Sequence, residues 1–295
     1  MHGLGNDYVV LDGTVTSMDL SRLAVQLCDR HFGVGADGLL VAEPSSSADV
    51  RMRMFNPDGS EAEMCGNGIR CFTKYVLESD LVSLRNGVIT VQTLNGILEV
   101  TPFTDEGGRV DRAGVWMGQP VFNADDIPVK IPTASHDSKK TPRFSNVKPS
   151  VNSDNFVIEY PLSIEEEIFN ITCVSMGNPH AVAFVDQPVD SIELDRVGPL
   201  VENHLMFPQR VNFHVVNVES SNRLRARTWE RGAGLTLACG TGACAIQAAA
   251  RLLGITDEEI SLEMPGGDLI IKWAGDLSEV YMEGPTVEVF QGQWL

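Results

Sequence analysis

The hydrophobic pattern of the chain predicts two long buried helices. The longest apolar stretch, residues 243–253, carries few polar side chains on any face, as expected of a helix inside a core. Gly254 follows this stretch and suits a left-handed C-cap. The second helix is predicted after Gly68, where apolar residues recur at helical spacing. These residues are Ile69, Phe72, Val76 and Leu77.

Shorter apolar or alternating segments between turn residues predict strands over most of the remaining chain. Examples are residues 8–11, 39–42, 51–55 and 170–175. A further amphipathic helix is predicted from Leu20, with Ser17 or Asp19 as its cap. A modest helix is predicted from Leu194 to Leu205, with Gly198 as an alternative start that would put Pro199 at the first helical position. The predicted fold class is therefore α/β (α+β), with each long helix held inside strands.

Three pieces of sequence occur twice and in the same order. Cys65-Gly66-Asn67-Gly68 and Cys239-Gly240-Thr241-Gly242 each precede a long helix. Gly5-Asn6 and Gly177-Asn178 each lead into an apolar run that ends at an aspartate, and Gly87 and Gly267 each precede an alternating segment. We therefore expect two similar, duplicated domains. Each domain would carry one of the two repeated cysteines, Cys65 or Cys239, facing its counterpart across a cleft.

The repeats also set the expected domain boundaries. The first half is predicted to span residues 1–115 and the second residues 116–284, with a C-terminal strand, about residues 285–295, packing back onto the first half. Residues 132–155 are rich in Ser, Lys, Pro and Asn without periodicity. We interpret them as an exposed polar loop of the second half.

Composition and charge exclude several classes of protein. The chain has 22 Lys+Arg against 40 Asp+Glu, a formal net charge of −18 and no basic tract, so no nucleic-acid partner is expected. No signal peptide or membrane span is visible. This predicts a cytoplasmic protein, or one of the plastid stroma if a transit segment has been removed. The six cysteines include no Cys-x-x-Cys pair, and no metal site is predicted.

One motif resembles a nucleotide-binding signature but stands in the wrong context. Residues 33–38, Gly-Val-Gly-Ala-Asp-Gly, have the glycine spacing of the dinucleotide fingerprint. They follow a predicted helix and enter a strand, whereas the fingerprint follows a strand and opens a helix. No nucleotide is expected to bind at this segment.

The two repeated cysteines are the candidate reactive groups. Cys239 is predicted at the amino end of a helix, where unpaired N–H groups and the positive end of the dipole lower the pKa of a thiol. From the residues alone, Cys65 and Cys239 could be a redox pair, two core thiols at glycine-rich turns, or an acid and a base. The duplication favours the third interpretation, because inversion at a carbon acid needs a base on one face and an acid on the other.

Five sequence blocks resemble the diaminopimelate epimerase family: HGLGNDYVVLD, FNPDGSEAEMCGNGIRC, SMGNPHAVAFV, GPLVENHLMFPQRVN and WERGAGLTLACGTGACA. The resemblance covers nearly the whole chain. It implies a cofactor-independent isomerase that needs no pyridoxal phosphate and interconverts LL-2,6-diaminopimelate and the meso form in lysine biosynthesis. It also implies two domains, each a mixed β-barrel-like sheet around a central helix, with the active site in the inter-domain cleft, and a homodimer with Phe290 near its interface.

The resemblance further implies roles for individual residues. Cys65 and Cys239 would be the catalytic acid and base, and His180 and Glu230 would tune their pKa values. The substrate-binding residues would be Asn6, Asn56, Gly66, Asn67, Asn178, Asn212, Glu230, Arg231, Gly240 and Thr241, with the fork of Arg231 on the distal carboxylate. The other histidines form no ligand spacing and receive no role; they are His2, His31, His136, His204 and His214.

Two alternative functions stay open on the sequence alone. The first is a racemase or epimerase of the same fold that acts on proline, hydroxyproline or another amino acid; Arg231 and the asparagines favour a substrate with a second amino-acid head group instead. The second is a thiol redox or binding protein in which Cys65 and Cys239 form a disulfide. A phenazine-type isomerase of this fold would lack the cysteine pair.

Overall fold

The computed structural model describes residues 1–15, 19–62, 64–131, 155–276 and 278–294. The predicted polar loop at 132–155 lies outside the described residues except for its last position, and so does Ser17, one of the two candidate caps. The chain divides into two compact units: Met1–Trp116 with Glu283–Leu295, and Met117–Met282.

The first unit contains eight strands and two α-helices among its described residues. In chain order these are β1 (His2–Gly3), β2 (Asn6–Asp12), α1 (Leu20–Cys28), β3 (Gly38–Glu43), β4 (Val50–Phe55), β5 (Glu61–Ala62), α2 (Gly66–Glu78), β6 (Ile89–Thr93), β7 (Gly96–Thr104) and β8 (Val110–Trp116). Asp19 caps α1, because its side chain accepts hydrogen bonds from the backbone N–H groups of Ser21 and Arg22.

The second unit repeats this kind of arrangement. Its elements are β9 (Tyr160–Ile164), β10 (Glu167–Ser175), β11 (Pro179–Phe184), α3 (Leu194–Glu202), β12 (Asn212–Ser220), β13 (Arg223–Glu230), β14 (Gly234–Thr236), α4 (Gly240–Leu252), β15 (Glu259–Met264) and β16 (Gly267–Lys272). The last strand, β17 (Tyr281–Pro285), begins in this unit and ends in the C-terminal segment of the first unit.

The strand pairings of the two units match one for one. In the first unit β2 is parallel to β3, β3 is antiparallel to β4, β4 is antiparallel to β5 and parallel to β6, and β6 is antiparallel to β7. In the second unit β11, β12, β13, β14, β15 and β16 repeat this series. The fold class is thus confirmed as mixed α/β with a duplicated architecture.

The two long helices occupy the same place in this series and contact several strands of their own unit. Helix α2 packs against β1, β2, β3, β7 and β8, and α4 packs against β10, β11, β12 and β16. Nearly every residue of α4 is buried, as its apolar sequence predicts. The predicted cap of α4 is confirmed, since Gly254 has a φ of 68° and donates to the carbonyl of Arg251.

The helix predicted from Leu194 is present, and the alternative start at Gly198 is wrong. Helix α3 begins at Leu194, so Pro199 lies inside it and not at its first position. The helix is held by its apolar face, because Leu194, Val197 and Val201 are all buried. Gly198 also packs directly on the indole ring of Trp229, where a Cβ would clash. Tertiary packing therefore outweighs the lost backbone donor of the proline.

Candidate active site

Cys65 and Cys239 occupy equivalent backbone positions in the two units. Each is the N-cap residue of its helix, with φ and ψ of −135° and 128° at Cys65 and of −126° and 112° at Cys239. The carbonyl of each accepts the first intrahelical hydrogen bond, from Ile69 and Ala243 respectively, at 2.9 Å. Neither thiol caps its helix. Both sulfur atoms therefore stay available for other contacts.

The surroundings of Cys65 are neutral and polar. The hydroxyl of Tyr8 lies 3.0 Å from the sulfur, and Asn6 Oδ1 lies 3.6 Å from it. Asn67, the second residue of α2, donates from Nδ2 to the same Asn6 oxygen at 3.2 Å. Three side chains from β2 and α2 thus converge on the half-buried thiol of Cys65.

Charged groups fix both amides of this cluster. Asn6 Nδ2 donates to the carboxylate of Asp37 at 2.8 Å, so Asn6 Oδ1 must face Tyr8 and Asn67. Arg70 is fully buried in α2 and donates to Asn67 Oδ1 at 2.9 Å, so Asn67 Nδ2 must face Asn6. Arg30 bridges the carboxylates of Asp7 and Asp37 in turn. The cluster is therefore held rigidly before any ligand is present.

Cys239 has a more buried and more acidic environment. Its side chain is 4% exposed, and Thr241 Oγ1 lies 3.7 Å from the sulfur. Burial raises the pKa of the Cys239 thiol well above its ordinary value, and the hydrogen-bonded carboxylate of Glu230 raises it further. The expected lowering of this pKa by the helix end is therefore wrong, because burial and the charge of Glu230 outweigh the backbone N–H groups.

A chain of hydrogen bonds runs through the buried side of this second cluster. Thr228 on β13 contacts His214 Nδ1 at 2.9 Å, and His214 Nε2 lies 2.9 Å from His180 Nδ1. His180 Nε2 lies 2.8 Å from Asn178 Oδ1, and Asn178 Nδ2 donates to Thr241 Oγ1 at 3.4 Å. The chain of hydrogen bonds thereby ends on the Thr241 hydroxyl, which contacts Cys239.

Both histidines in this chain of hydrogen bonds are neutral. Burial lowers the pKa of His214 to about 3, and burial together with the neighbouring His214 lowers the pKa of His180 well below its usual value. Because Asn178 Oδ1 is an acceptor, His180 carries its proton on Nε2 and accepts from His214 Nε2. The donors therefore all point in one direction, from Thr228 towards Thr241.

The turn after β13 is anchored at both ends. Asn212 accepts from the backbone N–H of Arg231 at 2.9 Å and donates to the carbonyl of Pro179 at 2.9 Å. The buried carboxylate of Glu202 accepts from the backbone N–H of Gly232 at 3.0 Å and from Trp229 Nε1 at 2.7 Å. These contacts fix the backbone that carries Glu230 and Arg231.

The predicted site residues thus fall into two groups and one outlier. Asn6, Cys65, Gly66 and Asn67 lie together in the first unit. The second unit brings together Asn178, His180, Asn212, Glu230, Arg231, Cys239, Gly240 and Thr241. Asn56 lies in the turn after β4, where its Nδ2 donates to Ser60 Oγ at 2.9 Å.

His214, Glu202 and Tyr8 are among the residues of these clusters that the sequence analysis missed. His214 and Glu202 lie in segments that read as ordinary strand and helix, and only tertiary packing brings them to the site. Tyr8 had a usable signal, since it follows Asn6 at the same spacing at which His180 follows Asn178. The repeat comparison could therefore have identified Tyr8.

Neither a group of metal ligands nor a membrane-spanning helix is found among the described residues. No three His, Cys, Asp or Glu side chains among these residues are grouped so that they could hold a metal ion. No helix among them is long and apolar enough to cross a membrane.

Comparison with known proteins gives matches along nearly the whole chain. Residues 1–122 and 172–289 match the family model described as diaminopimelate epimerase. The diaminopimelate epimerase of Acetivibrio thermocellus is 44% identical over 295 residues, which cover 99% of this chain and 96% of that protein.

Solved structures share the fold at low sequence identity. A phenazine biosynthesis protein of the PhzF family from Bacillus anthracis superimposes with a TM-score of 0.64 at 18% identity, over 97% of this chain and 93% of its own. A probable proline racemase from Agrobacterium radiobacter K84 gives a TM-score of 0.65 at 15% identity, over 96% and 88%. At these identities the likeness concerns the fold alone.

Proposed function

The chain belongs to the diaminopimelate epimerase family, and from this premise we propose that it interconverts LL-2,6-diaminopimelate and meso-diaminopimelate in lysine biosynthesis, with Cys65 and Cys239 as the two acid/base groups. The observation that carries the two-thiol assignment is the equivalence of the cysteines. Both are N-cap residues with nearly the same backbone conformation, and neither thiol is used for capping.

The proposed reaction moves one proton off the α-carbon and another onto it. The thiolate of one cysteine removes the α-proton, and the electron pair of the broken C–H bond delocalises into the neighbouring carboxylate. The thiol of the other cysteine then gives its proton to the opposite face of the carbon. The proton lost by one sulfur is matched by the proton gained by the other, and the reverse reaction exchanges their roles.

The surroundings of Cys239 support its role as a proton donor in the resting enzyme. Because burial and Glu230 raise the pKa of this thiol, Cys239 holds its proton at neutral pH. Cys65 is then the partner that must be a thiolate when Cys239 starts as the acid. Glu230 thus acts on the reaction through the protonation state of Cys239.

The helix amino ends support binding of the reacting carboxylate. Ile69 and Ala243 are the first intrahelical donors in their helices, so the N–H groups of the preceding turns point out of the helix end. These turns contain Gly66 and Asn67 in one unit and Gly240 and Thr241 in the other. We assign to them the stabilisation of the negative charge that grows on the carboxylate as the proton leaves.

The remaining polar residues are assigned to the rest of the substrate. Arg231 would bind the distal carboxylate, because its guanidinium is a fixed planar fork on a turn anchored by Asn212 and Glu202. Asn6, Asn56, Asn178 and Asn212 would contact the amino and carboxylate groups through neutral amides. His180 acts on Cys239 through Asn178 and Thr241.

We also propose a cytoplasmic homodimer with Phe290 at its interface. Phe290 is 62% exposed, and Val289 beside it is exposed to a similar degree, so this end of the chain presents apolar side chains to solvent. Sedimentation of the wild type and of Phe290→Ser would test the assignment. A dimer that persists unchanged in the variant would contradict the role of Phe290.

The decisive experiment follows the α-proton. Purified protein is given LL-diaminopimelate in deuterated water, with proline, hydroxyproline and lysine as alternative substrates. We expect the meso isomer with deuterium at the inverted carbon, and a loss on the order of a thousandfold in kcat for Cys65→Ala and for Cys239→Ala. Cys28→Ala is the matched control, since Cys28 is a buried thiol of the first unit outside the cluster.

Three outcomes would go against the proposal. Meso product without solvent deuterium would exclude exchange through protein thiols. Exchange with proline or hydroxyproline alone would keep the two-base chemistry and replace the substrate. A disulfide between Cys65 and Cys239 in the active preparation would favour the redox alternative.

A further inference from the structure

The phenol ring of Tyr8 is held in one position against the Cys65 cluster. Tyr8 lies on β2 and pairs with Gly38 of the parallel strand β3. A Cβ at Gly38 would come within 3.1 Å of the ring, and a Cβ at Gly68 on α2 would come within 3.4 Å. The absence of side chains at these two glycines gives the ring its slot, and Tyr8 is 3% exposed.

This slot directs the Tyr8 hydroxyl at two acceptors. Asn6 Oδ1 lies 2.7 Å from the hydroxyl oxygen, and Cys65 Sγ lies 3.0 Å from it. A phenol has one proton and can donate it to only one of them at a time. Asn6 Oδ1 already accepts from Asn67, so it stays satisfied when the Tyr8 proton turns away.

The second unit shows the same arrangement with a different side chain. Tyr8 opens the parallel pairing of β2 with β3, and His180 opens the parallel pairing of β11 with β12. Tyr8 donates to Asn6 Oδ1 at 2.7 Å, and His180 donates to Asn178 Oδ1 at 2.8 Å, each from two residues further along its strand. Tyr8 is thus the counterpart of His180 in the duplicated fold.

We propose that Tyr8 is a further catalytic residue, whose hydroxyl rotates from Asn6 to Cys65 and donates a hydrogen bond to the Cys65 thiolate. This inference rests on the proposed function of Cys65 as an acid/base group. It goes beyond that function by assigning the first unit its own donor to the reacting sulfur.

Every proton of Tyr8 and Cys65 is accounted for during this rotation. When Cys65 is a thiol, Tyr8 donates to Asn6. When the Cys65 proton moves to the substrate carbon, the sulfur becomes a charged acceptor and the Tyr8 proton turns to it. Tyr8 itself stays protonated throughout, since burial and the neighbouring Cys65 raise its pKa well above the usual value.

Few charged groups compete with this contact. The titratable and charged groups that face the cluster are Asp37 ahead of β3, Asp7 on β2, Arg30 after α1, and Arg70 and Cys71 on α2. Asp37, Asp7 and Arg30 are joined to one another, and Arg70 is turned to Asn67 and to the carbonyl of Gly66. Among the described residues, the Tyr8 hydroxyl lies 3.0 Å from Cys65 Sγ and is placed to donate to it.

The test measures the thiolate of Cys65 without requiring turnover. The rate of alkylation by iodoacetamide is followed over pH in the wild type and in Tyr8→Phe, by mass spectrometry of the tryptic peptide from residue 54 to residue 70, whose sole thiol is Cys65. We expect the profile of Tyr8→Phe to move to higher pH, with a rate about tenfold lower on its rising limb.

A control variant and the choice of phenylalanine at position 8 make the result specific. Tyr75→Phe removes a hydroxyl from the same unit at a site that contacts Asp12 and Ser79, and its Cys65 profile should match that of the wild type. In Tyr8→Phe the ring and its packing remain. If Tyr8→Phe raises KM but leaves the pH profile of Cys65 alkylation unchanged, Tyr8 only positions Asn6 and the proposal is overturned.

The test of Tyr8 can succeed or fail independently of the test of the proposed function. If the wild type fails to exchange the α-proton of diaminopimelate while Tyr8→Phe still moves the alkylation profile, the substrate assignment fails and the Tyr8 contact stands. If exchange is normal and Tyr8→Phe leaves both the profile and kcat unchanged, the Tyr8 inference fails alone.

Discussion

His180 Nδ1 lies 2.9 Å from His214 Nε2, and both rings are completely buried. The contact joins two neutral side chains whose remaining nitrogens are also used, by Asn178 and by Thr228. The contact with His214 therefore requires the same tautomer of His180 that the Asn178 oxygen selects, so the two contacts reinforce each other.

Replacing His214 should weaken the fold and change its pH dependence. In His214→Gln we expect the free energy of unfolding to fall by about 1–3 kcal/mol, because His180 and Thr228 lose well-placed partners. Urea unfolding at pH 7.5 measures this loss. His31→Gln, at an exposed histidine outside the chain of hydrogen bonds, should leave the stability unchanged.

The pH dependence has a definite sign. Above about pH 6.5 the folded and unfolded forms of His214 are both neutral. As the pH falls towards about 3, the unfolded form binds a proton and the folded form does not, so the wild type should lose about 1.4 kcal/mol per pH unit at this site. His214→Gln should show a correspondingly shallower decline between pH 6 and pH 4. An unchanged slope would contradict a neutral, buried His214.

Removing the charge of Glu230 should make Cys239 more acidic. Glu230→Gln keeps the size of the side chain and removes the repulsion of a thiolate, so the pKa of Cys239 should fall while its burial still holds it above the usual value. We expect alkylation of Cys239 at pH 8 to accelerate by up to about tenfold. Glu279→Gln, at an exposed carboxylate of the same unit, is the control.

Glu202 should affect substrate affinity although no substrate contact is assigned to it. Its carboxylate holds Trp229, Arg210 and the backbone of Gly232, and a glutamine would place an N–H group against one of these donors. Glu202→Gln should raise KM on the order of tenfold with a smaller change in kcat, because the turn that carries Arg231 loosens. An equal rise in KM in Glu166→Gln, at an exposed residue, would point to a general effect of losing a carboxylate.

The fork of Arg231 should be required for the distal carboxylate. Arg231→Lys keeps the charge and loses the planar pair of donors, so KM for diaminopimelate should rise on the order of tenfold. Steady-state kinetics separate this effect from a change in kcat. Arg225→Lys is the matched control, because Arg225 forms exposed ion pairs on the same strand, β13. A KM that stays constant in Arg231→Lys would remove Arg231 from substrate binding.

The repeated elements of the fold were predictable because their signals are local. Helix α4 has few polar residues and is followed by Gly254, and both cysteines stand where a glycine-rich turn enters a helix. Such patterns extend over a few residues and depend little on distant contacts. The roles assigned to Cys65, Cys239 and their neighbours stay predictions.

The missed features depend on contacts between distant segments. The raised pKa of Cys239 comes from burial and from Glu230 on β13, whereas the local pattern around Cys239 shows only the end of a helix. His214 sits in a strand of buried residues and reads as part of an apolar run. Its partners His180 and Thr228 are defined by the pairing of β12 with β11 and β13, which a single sequence does not specify.

The position of the two thiols at the helix ends has an evolutionary consequence. Since the backbone carbonyls of Cys65 and Cys239 begin the helices and the sulfur atoms do not cap them, another small side chain at either position would leave the helix start intact. The architecture therefore does not depend on the reactive group that it presents. A lineage that inherits this duplicated scaffold is free to exchange one sulfur at a time, so new reactivity is able to arise by single substitutions without rebuilding the fold.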